Sequence, residues 1–326
     1  MNNVTFTGLV LDKKGFAKEI SFDEIENYNS RDDLLWLHFN YTKSEVKEWI
    51  RTKSGIDNIA VDALLADETR PRTIVLGDNL LLALRGVNLD PNSKPEDMKS
   101  IRLYISDNLI LSTSRRTILS VVEMTEELKK GIGVKSASEF LIELTYKMTD
   151  RIDTVIDKIH DRSERLEDNI LESKLKNQRS DILNIRREII ILKRYLTPQK
   201  EALVKLYNEK ISWLNEYQKI ELRETNDQLI RHIEELDTIR DKIILIQDEL
   251  VNNLSQELNS KMYIMAIISA IFLPLTFLTG LLGINVGGIP GAENENAFYI
   301  FTIILLFVVA FQFYIFKKSK WIWIYI

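Results

Sequence analysis

The chain has 326 residues, a formal net charge of −5 and no cysteine. That length allows more than one domain, the missing cysteine excludes disulfides and thiolate metal sites, and the mild acidity, with no basic patch, argues against nucleic acid as a partner. The composition, 45% hydrophobic and 28% charged, looks soluble on average, but nearly all charge precedes residue 262 and a tail almost free of charge follows.

Residues 1–135 read as a cytosolic α/β domain. Short apolar runs at 4–11, 34–39, 80–87, 101–105 and 109–112 predict strands, separated by turn residues such as Gly77-Asp78-Asn79 and Asp90-Pro91-Asn92-Ser93. Short helices are expected at 44–52, with Ser44 as N-cap, and at 59–65. The first ten residues, MNNVTFTGLV, lack a basic segment followed by an apolar one, so no cleaved signal peptide is expected. The three histidines read as structural: His38 hydrogen-bonded in a strand near Trp36, His160 and His232 solvated on charged helices. Arg70, Arg72, Arg85 and Arg102 are candidates for binding an anion, but read first as strand-edge ion pairs. No nucleophile motif, phosphate-cradling loop or metal-hydrolase spacing is present, so neither enzymatic activity nor a cofactor is expected.

Residues 136–210 predict a charged helical hairpin, with one helix over 138–174 and a second over 181–210 that Thr197-Pro198 interrupts. Residues 211–261 predict a stalk helix. There is no proline after 211 until Pro274 and no glycine until Gly280, and Leu229, Ile233, Leu236, Ile239, Ile243, Ile246, Leu250, Leu254 and Leu258 recur at spacings of three and four. Carried into the next segment, this helix would be on the order of 100 Å long.

Residues 262–282 and 297–316 carry no charged side chain. At about 1.5 Å per residue each covers a hydrocarbon core of about 30 Å, predicting a two-helix transmembrane hairpin. Lys261 precedes the first span; Lys317, Lys318 and Lys320 follow the second. The loop 283–296 has no Lys or Arg, only Glu293 and Glu295. The positive-inside rule therefore puts both termini, including the tail 317–326, in the cytosol and the loop outside, in a cell inner (plasma) membrane. Trp321, Trp323 and Tyr325 suit the interface.

The face opposite the apolar stripe carries Asp241, Asp248, Asn252, Ser255 and Asn259, and continues through Met262, Met265 or Ala266, Ser269, Leu273, Thr276 and Gly280. It begins acidic, becomes neutral-polar, then small or apolar, as a pore lining would. Two helices cannot enclose a water-filled path, so a conduit needs several copies around an axis. The first span would be the inner ring and the bulky second span the outer one. Glycine and proline stop the first span, and symmetry would make Asn285 a ring of amide oxygens suited to a hydrated hard cation. Glu293 and Glu295 would concentrate cations at the outer mouth.

At Gly283-Ile284-Asn285 the chain resembles the CorA superfamily of divalent cation transporters, which has Gly-Met-Asn at the end of the first of two C-terminal spans. FLPLTFLTGLLGINVGGIPG (272–291), KKSKW (317–321), LLADETRPR (64–72), LRGVNLDPNSKPEDMKSIRLY (84–104) and IRREIIILKRYLTPQKEAL (185–203) are similar to its ZntB-type zinc transporter branch. The resemblance covers essentially the whole chain. It implies a homopentamer with a funnel-shaped cytosolic domain. It also implies a selectivity ring at Gly283, Ile284 and Asn285, a pore lined by Thr276, Leu273, Met265 and Met262, and Asp248 near the cytosolic neck beside Asn252, Ser255 and Asn259. The implied cargo is Zn2+, with Co2+, Ni2+ and Cd2+ as further candidates, linked to proton movement and touching Asn285 as a hydrated ion. Ile284 departs from the usual methionine and weighs against magnesium. The alternative is a CorA-like Mg2+/Co2+ channel driven by membrane potential and gated by intracellular metal.

Overall fold

The structure is a computed structural model that describes all residues except 1–5, 26–27, 29–32, 91–92, 172–177, 285–286, 290, 292 and 320–326. The chain divides into two compact units, Met1–Ile246 and Gln247–Ile326.

The first unit opens with a seven-stranded mixed sheet. Its strands are β1 (Phe6–Leu11), β2 (Ala17–Glu19), β3 (Leu34–Asn40), β4 (Arg72–Leu76), β5 (Asn79–Gly86), β6 (Lys99–Ile105) and β7 (Leu109–Ser114), in the order β2-β1-β3-β7-β6-β5-β4. The β3–β7 pair is parallel and its neighbours antiparallel. Alternation along β3 explains how both faces are covered. Leu37 and Phe39 join Val46, Trp49 and Ile50 of α2 (Ser44–Thr52) and Leu64 of α3 (Asn58–Leu65) in one core. Trp36 points the other way, onto Phe140 of α5 (Ala137–Leu171), with ring centroids 4.7 Å apart edge-on.

The helical half consists of α4 (Leu119–Lys129), α5, α6 (Gln178–Asn208) and the start of α7 (Glu216–Leu282). The short α1 (Phe22–Ile25) sits between β2 and β3. Thr73 of β4 donates to the Ala202 carbonyl of α6, and Gln199 accepts from the Arg85 backbone N–H, which pins α6 to the sheet. Between α6 and α7, Trp213 Nε1 donates to the Asp78 carbonyl in the β4–β5 turn. Asn215 and Gln218 then exchange backbone-to-side-chain bonds of 2.9 and 3.0 Å, a reciprocal cap that starts α7 at Glu216.

Ser44 is the first residue of α2 and not its cap; Lys43 holds the cap position without a side-chain bond, because a lysine offers no acceptor. Pro198 lies inside α6 without ending it. Leu192, Leu196, Ala202, Leu203 and Leu206 around it are buried, and that burial outweighs the roughly 3 kcal/mol a helical proline costs. His232 is buried, 4% exposed, with Nδ1 3.9 Å from Asp153 on α5, since its side of α7 packs inward. Arg102 is 1% exposed and Arg85 half-buried, and their side-chain hydrogen bonds go to carbonyls and not to carboxylates. Arg102 donates to the Asp67 carbonyl and lies 4.6 Å over Tyr41, while Arg85 donates to Met98 and Thr69 carbonyls and lies 4.7 Å over Tyr195. Arg70 and Arg72 are exposed.

His38 matches its reading. Its Nδ1 lies 2.8 Å from Ser112 Oγ and its Nε2 3.2 Å from Ser114 Oγ, both on β7. Burial holds its pKa down at about 4. Lys147 shows the opposite balance. Burial works against its ammonium, but hydrogen bonds to Glu127, Glu143 and Glu123 outweigh that and raise its pKa.

Candidate functional site

The second unit contains the end of α7 and all of α8 (Ala297–Lys318). Their most apolar windows are entirely unburied in the single chain, which fits spans that meet lipid or other copies and not the core helices of a soluble protein. Alpha-helix is the form a lone span requires, because every backbone N–H and C=O is then paired within the segment. Pro274 sits inside the span without ending the helix.

Along α7 the apolar stripe is buried at Leu229, Leu236, Ile239, Ile243, Ile246 and Leu250, then emerges at Leu254 and Leu258, which are exposed. On the opposite face Asp241, Asp248, Asn252, Ser255 and Asn259 are all exposed. At about 100° per residue the same face carries Met262, Ser269 and Leu273, with Thr276 and Met265 at its margin, toward the apolar stripe. Each of these is exposed, Leu273 at 71%. The side chains therefore form one open strip on a single helix, not a closed site within one chain.

The C-terminal end of the span is built by glycine. The Gly283 N–H donates to the Thr279 carbonyl at 2.9 Å and the Gly280 carbonyl at 3.2 Å. A Cβ on Gly283 would stand 2.9 Å from that Thr279 oxygen, so the terminus admits no side chain there. Ile284 is half exposed, and Asn285 lies outside the described residues. In the loop that follows, Gly288 and Gly291 adopt φ of +94° and +84°, a left-handed backbone that glycine tolerates. Glu293 and Glu295 are exposed in this loop.

One polar contact within the hairpin was not foreseen. Gln312 of α8 donates through Nε2 to the Ala270 carbonyl of α7 at 3.2 Å. The signal was a lone amide in an otherwise bulky apolar span, where an unpaired polar group is costly. Away from the spans, His160, Asp161 and Glu164 bring ligand atoms within 4.8 Å of one another on α5, but the two acids are exposed and the group has the spacing of an ordinary charged helix face.

Comparison with known proteins places this architecture. A family described as "CorA-like Mg2+ transporter protein" matches residues 31–318. The divalent cation transporter CmaX of Pseudomonas aeruginosa is 35% identical over 97% of this chain and 96% of its own. A solved structure of full-length CmaX superposes with a TM-score of 0.83, covering 97% of each chain. The zinc transport protein ZntB of Pectobacterium carotovorum is 33% identical over 96% of this chain and 94% of its own. The CorA magnesium transporter of Methanocaldococcus jannaschii, 19% identical, shares the fold with a TM-score of 0.83, covering 98% of this chain and all of that one. With two apolar spans after an α/β domain and long helices, and a family match across most of its length, the chain belongs to the CorA family of divalent cation transporters and is not an enzyme.

Proposed function

We propose that this chain carries Zn2+ across the cell inner membrane, along the axis of a homopentamer whose inner ring is α7, with Co2+, Ni2+ and Cd2+ as further cargo. The observation that carries the reading is the exposed strip from Asp248 through Asn259 to Thr276, which continues across the water–membrane boundary without a charged residue inside the span. Exposed apolar side chains on both sides of that strip, such as Leu254, Leu258 and Phe277, would pack against neighbouring copies. Both termini would be cytosolic, from the lysines flanking the spans.

Selectivity is assigned to the ring at Gly283, Ile284 and Asn285, where amide oxygens would meet a hydrated ion. Met262, Met265, Ser269, Leu273 and Thr276 line the path. Asp248, Asn252, Ser255 and Asn259 form the neck, where Asp248 is the inner metal contact, and Glu293 and Glu295 draw cations to the mouth. The family relationship to ZntB, and the isoleucine in the triplet, favour zinc. With no cysteine and three histidines in the whole chain, the metal would cross largely hydrated and not in a tight tetrahedral site. Proton linkage is constrained, because neither span holds an ionisable Asp, Glu, His, Lys or Arg. Coupling would have to use Glu293 and Glu295 outside, carboxylates such as Asp248 inside, or water moving with the metal.

Uptake by the protein in liposomes tests these points. Zinc entry is expected to rise with an imposed pH gradient; equal rates with and without it would end proton coupling. Asn285→Ala is expected to lose rate or selectivity among metals, and unchanged, equally selective uptake would remove Asn285 from the ring. The second reading, a Mg2+/Co2+ channel driven by membrane potential and gated by intracellular metal, draws on the family's description. Competition settles it: excess Mg2+ should leave Zn2+ uptake nearly unchanged if zinc is the cargo and suppress it if magnesium is.

A further inference from the structure

We propose that a basin between α5 and α6 binds a nucleoside di- or triphosphate. The basin is a cavity of about 490 Å³, within the usual size range for a small-molecule site. Three separate segments send cations into it: Lys94 from the loop before β6, Lys158, Arg162 and Arg165 from α5, and Arg187 from α6. A second cavity of about 300 Å³ shares Arg162 and Arg165 and extends the space along the two helices.

The charges are unbalanced. Glu188, Glu96 and Asp161 are the carboxylates in the lining, against five cations, in a chain whose overall charge is −5. Arg162 pairs with Glu188, which is 6% exposed, and the Arg162 Nε is buried without a hydrogen-bond partner. Lys94, Lys158, Arg165 and Arg187 make no ion pair or side-chain hydrogen bond among the described residues. Other helical cations have carboxylate partners: Lys147 meets Glu123, Glu127 and Glu143, Lys242 meets Glu167, and Lys193 meets Asp237. Unpaired lysines and arginines on an open helix face would be ordinary. Here the exposed Lys94, Lys158, Arg165 and Arg187 line one concavity, within reach of a single multivalent anion.

The residue types narrow the ligand. Three guanidinium groups offer planar forks that suit phosphate oxygens, and several phosphates are needed to engage cations on opposite walls. Glu96 and Asp161 disfavour a bare polyphosphate filling the whole space. They suit a ligand whose far end donates hydrogen bonds, as ribose hydroxyls and base amino groups do.

The test is calorimetric titration of the full-length protein in detergent, with chelator present so that no divalent metal bridges the phosphates. ATP and ADP are expected to bind, and AMP at least about ten-fold more weakly. The double variant R165E/R187E should weaken ATP by at least about ten-fold, while Lys135→Glu, outside the basin, leaves it unchanged. Should the charge reversals disturb folding, R165Q and R187Q are expected to weaken binding in the same order. No ATP binding to the native protein, or equal binding by the folded basin variants, would overturn the proposal. Pyrophosphate binding as tightly as ATP would overturn the nucleoside assignment.

Discussion

His38 shows how one side chain couples folding to acidity. Its imidazole accepts and donates between Ser112 and Ser114 on the neighbouring parallel strand, and burial holds its pKa at about 4. The unfolded chain takes up that proton near pH 6.5, so it binds more protons than the folded chain between the two values. Stability therefore falls as pH drops from about 6.5 to about 4 and levels off below. The ring borders a cavity of about 210 Å³, whose solvent screens part of the effect, so the loss is expected to be about 2 kcal/mol. Denaturant titrations at stepped pH should show this slope, and His38→Gln should flatten it. The glycine terminus makes a second residue-scale prediction. Gly283→Ala forces a methyl group against the Thr279 carbonyl, so the end of the span must shift. Zinc flux in liposomes is expected to drop several-fold while expression and oligomer size remain.

At the scale of elements, α6 and α7 each have a checkable device. Pro198 costs α6 a hydrogen bond worth up to about 3 kcal/mol, while stiffening the unfolded chain returns about 1 kcal/mol. Pro198→Ala is thus expected to stabilise the protein by about 1–2 kcal/mol, read as a higher melting temperature. The start of α7 depends on the reciprocal bonds of Asn215 and Gln218, so Asn215→Ala should cost about 1 kcal/mol. Leu236 is fully buried on the stripe, and Leu236→Ala should cost about 3 kcal/mol in the same measurement. The hairpin α7–α8 is tied by Gln312, whose amide has its N–H partner in the Ala270 carbonyl.

At the scale of the whole molecule, the unburied spans argue that one copy is incomplete. Exposed leucines and phenylalanines suit lipid, whereas the exposed hydroxyls of Ser269 and Thr276 inside the span would gain an aqueous axis in the proposed ring of copies. Native mass spectrometry of the detergent-purified protein is expected to return five copies; a monomer would remove the pore. Glu293 and Glu295 are exposed in the loop between the two spans. Glu293→Gln with Glu295→Gln should lower cation entry several-fold in dilute buffer, with the difference fading at high salt as screening shortens the field.

The sequence alone determined the large divisions. Two stretches without charge have no water-soluble helix to belong to, and the three-and-four repeat of Leu and Ile along the stalk has a single helical explanation. Their placement needed only local chemistry: hydrocarbon length, side-chain period and flanking lysines. The strand-length β4 and the helix α4 escaped notice, since RTIVL follows a run of charge and proline, and LSVVEMTEELK mixes both periods. Tertiary structure decided what depends on neighbours distant in the chain. It carried α6 through Pro198, buried His232 against α5, turned Arg85 and Arg102 from surface ion pairs to carbonyls and aromatic rings, and gathered Lys94, Arg162 and Arg187 into one basin. Burial and pairing are properties of contacts between segments, and no local pattern of residue types specifies them.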